Sequence, residues 1–430
     1  MARFGIFCLP LPSHLNLFLS LSQALKAQGH QIVFFNIPEV EERVRMYGFE
    51  FCCVEPQTVP TGTIQALVQR MGNIAGLDAL RLQLQFDRLR SEGVLGCGPE
   101  AVRHAGIDLL IIDQAEAAGG SVAEHLGLLW VSVSSGLCLN AEPRIPPFFT
   151  SWGYAETRTA ILRNELAYGI SRVLTRPVQN LINRFRREWQ LRPVSRLDDT
   201  FSPYAQICQQ IQEFDFPRRR LPECFHYVGP LGSAGMTDVA FPWDALNGKP
   251  MIYASLGTLL NQHQAIYRQI IEACTPLNVQ LVLSLGGAGN VQEYAGMPGN
   301  PIVVRYAPQR ELLKRAQLTI THAGLNTTLE SLSEGVPMVA IPITFEQPAI
   351  AARIRWTGTG DFVAPQQLTA TRLREAITRV LENPKYRTST EKMKTVLQQT
   401  NGRERAAEII QEVLQFATSL PRAIVWGRRG

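Results

Sequence analysis

Short, almost uninterrupted apolar runs alternate in this chain with stretches whose apolar residues recur every three or four positions. Residues 3–9 (RFGIFCL) and 31–36 (QIVFFN) read as strands, and 15–27 (LNLFLSLSQALKA) between them has helical spacing. The runs 108–112 (DLLII) and 130–134 (WVSVS) are further strands, with a helical stretch at 122–126. Strands this apolar on both faces belong in a parallel sheet covered by helices on each side. Residues 57–106 are less regular, with a helical stretch near 77–89, and read as an insertion over the sheet edge. A second series opens at Met251 with strand MIYASLG, a helix at 264–274, and strands VQLVLSLGG and IVVRY. Strands at 318–321 and 337–341 follow, then helices from Thr371 to the end. The proline- and glycine-rich stretch 217–250 separates the two series. The expected organisation is α/β, with domains at 1–230 and 231–403 and a tail at 404–430.

Composition narrows the classes. A chain of 430 residues suits two or three domains, and 45% hydrophobic content is ordinary for packed cores. A scattered net charge of +5 gives no reason to expect nucleic acid. Eight cysteines without a CxxC pair suggest neither a zinc site nor a disulfide framework, so reduced thiols in a cytosolic protein are expected. Arg3 and the apolar residues after it mimic a signal peptide, but Pro10, Pro12, His14 and Asn16 interrupt the run. No run of 18 or more apolar residues offers a membrane span.

Polar chemistry gathers where strands end. The strand 318–321 runs into His322-Ala323-Gly324, and a helix then opens with Asn326, Thr327 and Thr328. Helix N-termini present unpaired N–H groups and partial positive charge, which suits phosphate. Gly324 allows close approach of backbone to a ligand. Glu330 lies one turn further on, Tyr306 precedes the strand, and Glu346-Gln347 follow the next one. An aromatic, a phosphate cradle, an acid for hydroxyls and an acid–amide pair together suit a nucleotide sugar. The glycines near Gly286 lack GxGxxG spacing and read as a turn. In the first series, His14 follows one strand and Asp113 ends another. Neighbouring parallel strands would bring them within hydrogen-bonding reach, as a base and its orienting carboxylate. Taken alone, the two residues read equally as helix and turn caps.

The 42-residue segment 306–347 resembles the donor signature of family 1 glycosyltransferases, which use UDP-sugars. It carries Ala-Pro-Gln, Thr-His-x-Gly-x-Asn-Thr-x-x-Glu, Gly-Val-Pro and Pro-x-x-x-Glu-Gln at fixed spacings. The resemblance implies the GT-B fold, two doubly wound Rossmann-like domains facing across a cleft, with the last helix crossing back to the first domain. It implies His14 as catalytic base with Asp113 behind it. It also implies that Tyr306 stacks on uracil, that Gln309 and the Ala307 backbone bind its edge, and that Glu330 takes the ribose hydroxyls. His322, Gly324, Asn326 and Thr327 would surround the diphosphate, with Ser255 and Thr258 reaching it from a second loop. Glu346 and Gln347 would hold the sugar, and the glutamine hints at glucose. Tyr306 stands where the family more often has Trp, and Glu346 where it more often has Asp. No Asp-x-Asp triplet occurs, so an inverting, metal-independent transfer with no cofactor is expected. A catalytically silent nucleotide-binding partner protein is the alternative of another class.

A narrower likeness lies in DQAEAAGGSVAEHLGL and LCLNAEPRIPPFFTSWGY, which resemble bacterial zeaxanthin glucosyltransferases. It implies UDP-glucose as donor and a lipophilic hydroxylated acceptor, a carotenoid before a macrolide, sterol or flavonoid. Phe148, Phe149 and Trp152 would line its pocket, or pack a domain loop. Residues 172–196 hold seven arginines against one acid, Glu188, with Leu174, Val178, Leu181, Ile182, Phe185 and Trp189 interleaved. That pattern suits a helix lying on the inner face of an anionic membrane, and equally a solvated helix packing its apolar face inward.

Overall fold

The computed structural model describes residues 1–71, 76–232, 234, 239–257, 264–287 and 289–419. Its first sheet holds β1 (Arg3–Phe7), β2 (Gln31–Asn36), β3 (Glu50–Cys53), β4 (Leu109–Asp113), β5 (Leu129–Ser134), β6 (Gln206–Cys208) and β7 (Phe225–Tyr227). The second holds β8 (Met251–Ser255), β9 (Gln280–Ser284), β10 (Ile302–Val304), β11 (Ala316–Thr321), β12 (Met338–Ala340) and β13 (Gly360–Phe362). Their orders are β3-β2-β1-β4-β5-β6-β7 and β10-β9-β8-β11-β12-β13. Every pairing among the described strands is parallel. Both sheets are doubly wound, and each reverses direction once, between β1 and β4 and between β8 and β11. Ligands of such sheets sit beyond the strands' carboxyl ends at that reversal.

Alternation along β1 shows why both faces need cover. Phe4 and Ile6 join Phe18 and Leu21 of helix Pro12–Ala27 in one core. The final helix, Gly402–Ser419, adds Ala406, Ile409 and Ile410 to this core in the first half of the molecule. Phe7 points the other way, into a core with Val94, Leu95 and Val102 of helix Gly76–Ala105 and Val178 and Ile182 of helix Arg158–Glu188.

One expectation changes here. The irregular stretch 57–106 is not an insertion over the edge. Its helix Gly76–Ala105 runs 30 residues, continues through Pro99, and lies on the face of the sheet as the crossover from β3 to β4. Of the two readings of 172–196, inward packing holds from Val178 onward, while Val173 and Leu174 before it are exposed. Val178, Leu181 and Ile182 are buried, and Phe185 and Trp189 pack on the same core, so a protein interior takes that face.

The halves meet along an apolar seam. Leu137, Ile211 and Phe214 from the first share a cluster with Leu325, Leu329, Ile350 and Ile354 from the second. Beside it the buried Asp215 carboxylate bonds Arg218 at 2.7 Å, Arg353 of the second half at 2.7 Å and the Tyr227 hydroxyl at 2.8 Å. Burial alone would raise the Asp215 pKa, but the two guanidinium groups hold it below the usual carboxylate range.

Candidate active site

One cleft of about 1510 Å³ is lined by the strand ends of both sheets, including His14, Asp113, Ser255, Tyr306, His322, Asn326, Glu330 and Glu346. His14 enters it from the first turn of helix Pro12–Ala27, just after β1. Asp113 closes β4, which pairs with β1, so the register sets the two side chains together. His14 Nδ1 lies 2.5 Å from Asp113 Oδ2, with the carboxylate almost wholly buried. A carboxylate can only accept, so Nδ1 carries the proton and Nε2 keeps its lone pair. Burial pulls the His14 pKa down, but the charge and hydrogen bond of Asp113, with the Glu346 charge, outweigh it and raise the value.

Ser135, just beyond β5, completes this arrangement. Its hydroxyl donates to Asp113 Oδ1 at 3.1 Å, and its oxygen stands 2.7 Å from His14 Nδ1. The same loop touches the second half. A Cβ on Gly136 would come within 3.2 Å of a Glu346 carboxylate oxygen. Buried Gln209, after β6, donates to the Ser135 carbonyl and, at 3.1 Å, to Asn326 Oδ1.

The second sheet brings Ser255, at the end of β8, beside His322, after its neighbour β11. Gly324 caps helix Leu325–Ser333 at φ −68°, a conformation open to any residue. Its glycine is needed for room, because a Cβ there would lie 2.5 Å from His322 Nε2. A Cβ on Gly257 would lie 2.7 Å from Cε1 of the same ring, so two glycines make room for the Nε2–Cε1 edge of His322. Burial lowers the His322 pKa to about 4, so near neutrality this imidazole is an N–H donor without charge.

Tyr306 is 43% exposed, its hydroxyl reaching so close to Gly287 that a Cβ there would overlap it. The turn near Gly286 thus supports this ring. Gln309 is held by Tyr253, whose hydroxyl donates to Oε1 at 3.0 Å, and donates in turn to Glu330 Oε2 at 2.6 Å. Arg310 reaches the other Glu330 oxygen at 3.2 Å. Ala307 and Thr327 line the cleft beside them. Gln347 Oε1 accepts the backbone N–H groups of Ile343 and Thr344 at 2.8 and 3.0 Å, which leaves its amide NH₂ as the donor available to a ligand. Thr258 lies outside the described residues. No group of three or more His, Cys, Asp or Glu side chains arranged to hold a metal ion occurs among the described residues.

Residues 108–400 match the family model described as UDP-glucoronosyl and UDP-glucosyl transferase. The chain belongs to that family. Among relatives of this UDP-glycosyltransferase is the zeaxanthin glucosyltransferase of Pantoea ananas, 31% identical over 96% of each chain. That of Pseudescherichia vulneris is 32% identical over 98% of this chain and all of its own. Solved structures share the GT-B fold. The kitacinnamycin glycotransferase superposes with a TM-score of 0.75 at 21% identity, covering 96% of this chain and 99% of its own. The calicheamicin glycosyltransferase CalG4 gives 0.75 at 20% identity, over 97% and 99%.

In the first half, Phe148 and Phe149 line the cleft of the transferase as an edge-to-face pair, 38% and 40% exposed. Trp152 does not join them. It stacks under the Arg163 guanidinium at 4.3 Å and is absent from the cleft lining. Ser135 and Gln209 were missed in the sequence. Ser135 could have been found by the rule that singled out Asp113, since it follows the end of the adjacent strand. Gln209 follows a three-residue strand with no apolar run to mark it.

Proposed function

We propose that the protein transfers glucose from UDP-glucose to a hydroxyl of a carotenoid such as zeaxanthin, with inversion and without a metal ion. The observation that carries this is the hydrogen-bonded His14–Asp113 pair opening into the same cleft as the His322–Asn326 turn and Glu346. An acceptor hydroxyl gives its proton to His14 Nε2 while its oxygen bonds the anomeric carbon. The bond from that carbon to the diphosphate oxygen breaks, and UDP leaves with the electron pair. Attack opposite the leaving group inverts the centre. Asp113 stabilises the imidazolium that forms.

The N-terminus of helix Leu325–Ser333 and the His322 N–H face the developing diphosphate charge. One preorganised donor of this kind stabilises a transition state by about 2.7–4 kcal/mol. Glu346 beside the Ser135–Gly136 loop suits the sugar hydroxyls. The donor and the carotenoid acceptor are supported by the two zeaxanthin glucosyltransferases at 31% and 32% identity. Phe148 and Phe149 at the cleft favour a lipophilic acceptor. The protein would act in the cytoplasm, at the inner face of a membrane that holds its acceptor.

UDP release should rise on adding zeaxanthin with UDP-glucose, persist in EDTA, and stay low with a flavonol. The product should carry the β-linkage by NMR. Release with the flavonol alone would reject the carotenoid, and loss of turnover in EDTA would reject the charge argument.

A further inference from the structure

The first half of helix Arg158–Glu188 turns large apolar side chains to solvent. Leu162, Leu166, Ile170, Val173 and Leu174 are 57, 61, 63, 56 and 38% exposed. Steps of four, four and three residues place the first four on one stripe. The second half of the same helix buries Val178, Leu181 and Ile182, so the exposed stripe is a second apolar face. A contiguous ridge of this kind marks a docking surface, unlike scattered exposed leucines.

Two features identify what docks. Exposed Arg158, Arg172 and Arg176 flank the stripe along one side, with Glu165 the one acid among them. The ridge is also continuous with the cleft, since Ile170 and Leu174 belong to both, close to Phe148 and Phe149. We infer that this ridge docks the protein on an anionic phospholipid bilayer, apolar side chains among the acyl chains and arginines at the headgroups. A second copy docked by the same stripe would gather the arginines of both copies, with only Glu165 from each to offset them. A bilayer of phosphatidylglycerol offsets all of them. The surface lies upstream of most of the basic stretch singled out in the sequence, because the apolar residues after Leu174 are used inside the protein.

The lipophilic acceptor of the proposed function supplies the reason for such a surface, but the test needs neither donor nor acceptor. The full chain is floated with vesicles of phosphatidylglycerol and phosphatidylcholine, and with phosphatidylcholine alone. Binding to the anionic vesicles is expected, weakening as salt screens the arginines. Leu162, Leu166 and Val173 do not line the cleft. Combining Leu162→Glu, Leu166→Glu and Val173→Glu should weaken vesicle binding about tenfold or more, with the melting temperature and UDP affinity unchanged. Arg158→Glu with Arg176→Glu should remove the preference for anionic vesicles. Wild-type protein that stays unbound, or a triple variant that floats like wild type, overturns the inference. So does a dimer in sedimentation equilibrium that the triple variant dissociates, because the ridge would then face another copy.

Discussion

Replacing Asp113 with asparagine tests the centre of the mechanism with little change in shape. The carboxylate sits 2.5 Å from His14 Nδ1 and is almost wholly buried, so no water replaces it. A hydrogen bond to a charged group is worth about 1.5–3 kcal/mol, or about 10- to 150-fold in kcat. Asparagine can also turn its NH₂ toward Nδ1, which moves the imidazole proton to Nε2 and removes the base altogether. That outcome sets an upper limit of about 10⁴-fold. Kcat is read by UDP release at saturating donor, and kcat/KM is followed against pH. The wild-type imidazole must be neutral to act, and its pKa is raised. The acid limb therefore lies above about 6.5, the ordinary histidine value. In Asp113→Asn the main raising influence is gone and burial remains, so the limb moves to lower pH. The stability consequence has a definite sign. A raised folded pKa contributes stability that is fully present below about pH 6.5 and is lost as pH rises through the folded value. An asparagine variant with near-normal kcat and an unmoved acid limb would refute the assignment.

His14→Ala should lose about 10²- to 10⁴-fold in turnover, while calorimetry finds UDP affinity unchanged. Gly324→Ala puts a methyl group 2.5 Å from His322 Nε2 and should destabilise by about 1–3 kcal/mol with weaker UDP binding. Wild-type values in denaturant titration and calorimetry would show that the ring is not confined. Arg353→Met removes one partner of a buried charge and should cost about 3–5 kcal/mol in chemical denaturation. The depressed Asp215 pKa stabilises the fold above about pH 4, and this is lost as pH falls toward the folded value. Asp215→Asn should therefore flatten the acid side of the stability profile, and an unchanged profile would exclude that carboxylate.

The parts of the fold legible in sequence are those where burial is nearly complete. LLIID of β4 and QIVFFN of β2 announce themselves because both faces of their sheet are covered. The three-residue strands β6 and β7 cannot show a period, and the long helix beside β3 is obscured by Gly93, Gly96, Gly98 and Pro99. The second half's share of the cleft was readable because its residues follow one another from Tyr306 to Gln347. Ser135 and Gln209 act through contacts 121 and 117 residues away, so no local spacing encodes them. The apolar residues of helix Arg158–Glu188 show the limit of periodicity. The pattern establishes that apolar stripes exist, but not which stripe the rest of the chain will cover.

The buried Asp215–Arg353 pair also bears on how the halves move. Arg353 lies in the helix that begins at Gln347, directly after Glu346, and its guanidinium is stacked on Phe216 at 4.3 Å. Drawing the halves apart at this point would part Asp215 from one of its two guanidinium partners. A motion between the halves that kept this pair intact would pivot here, like shears about a rivet, with the widest travel at the opposite rim. A covalent tie across that rim would arrest turnover, and one placed beside Arg353 would leave it running.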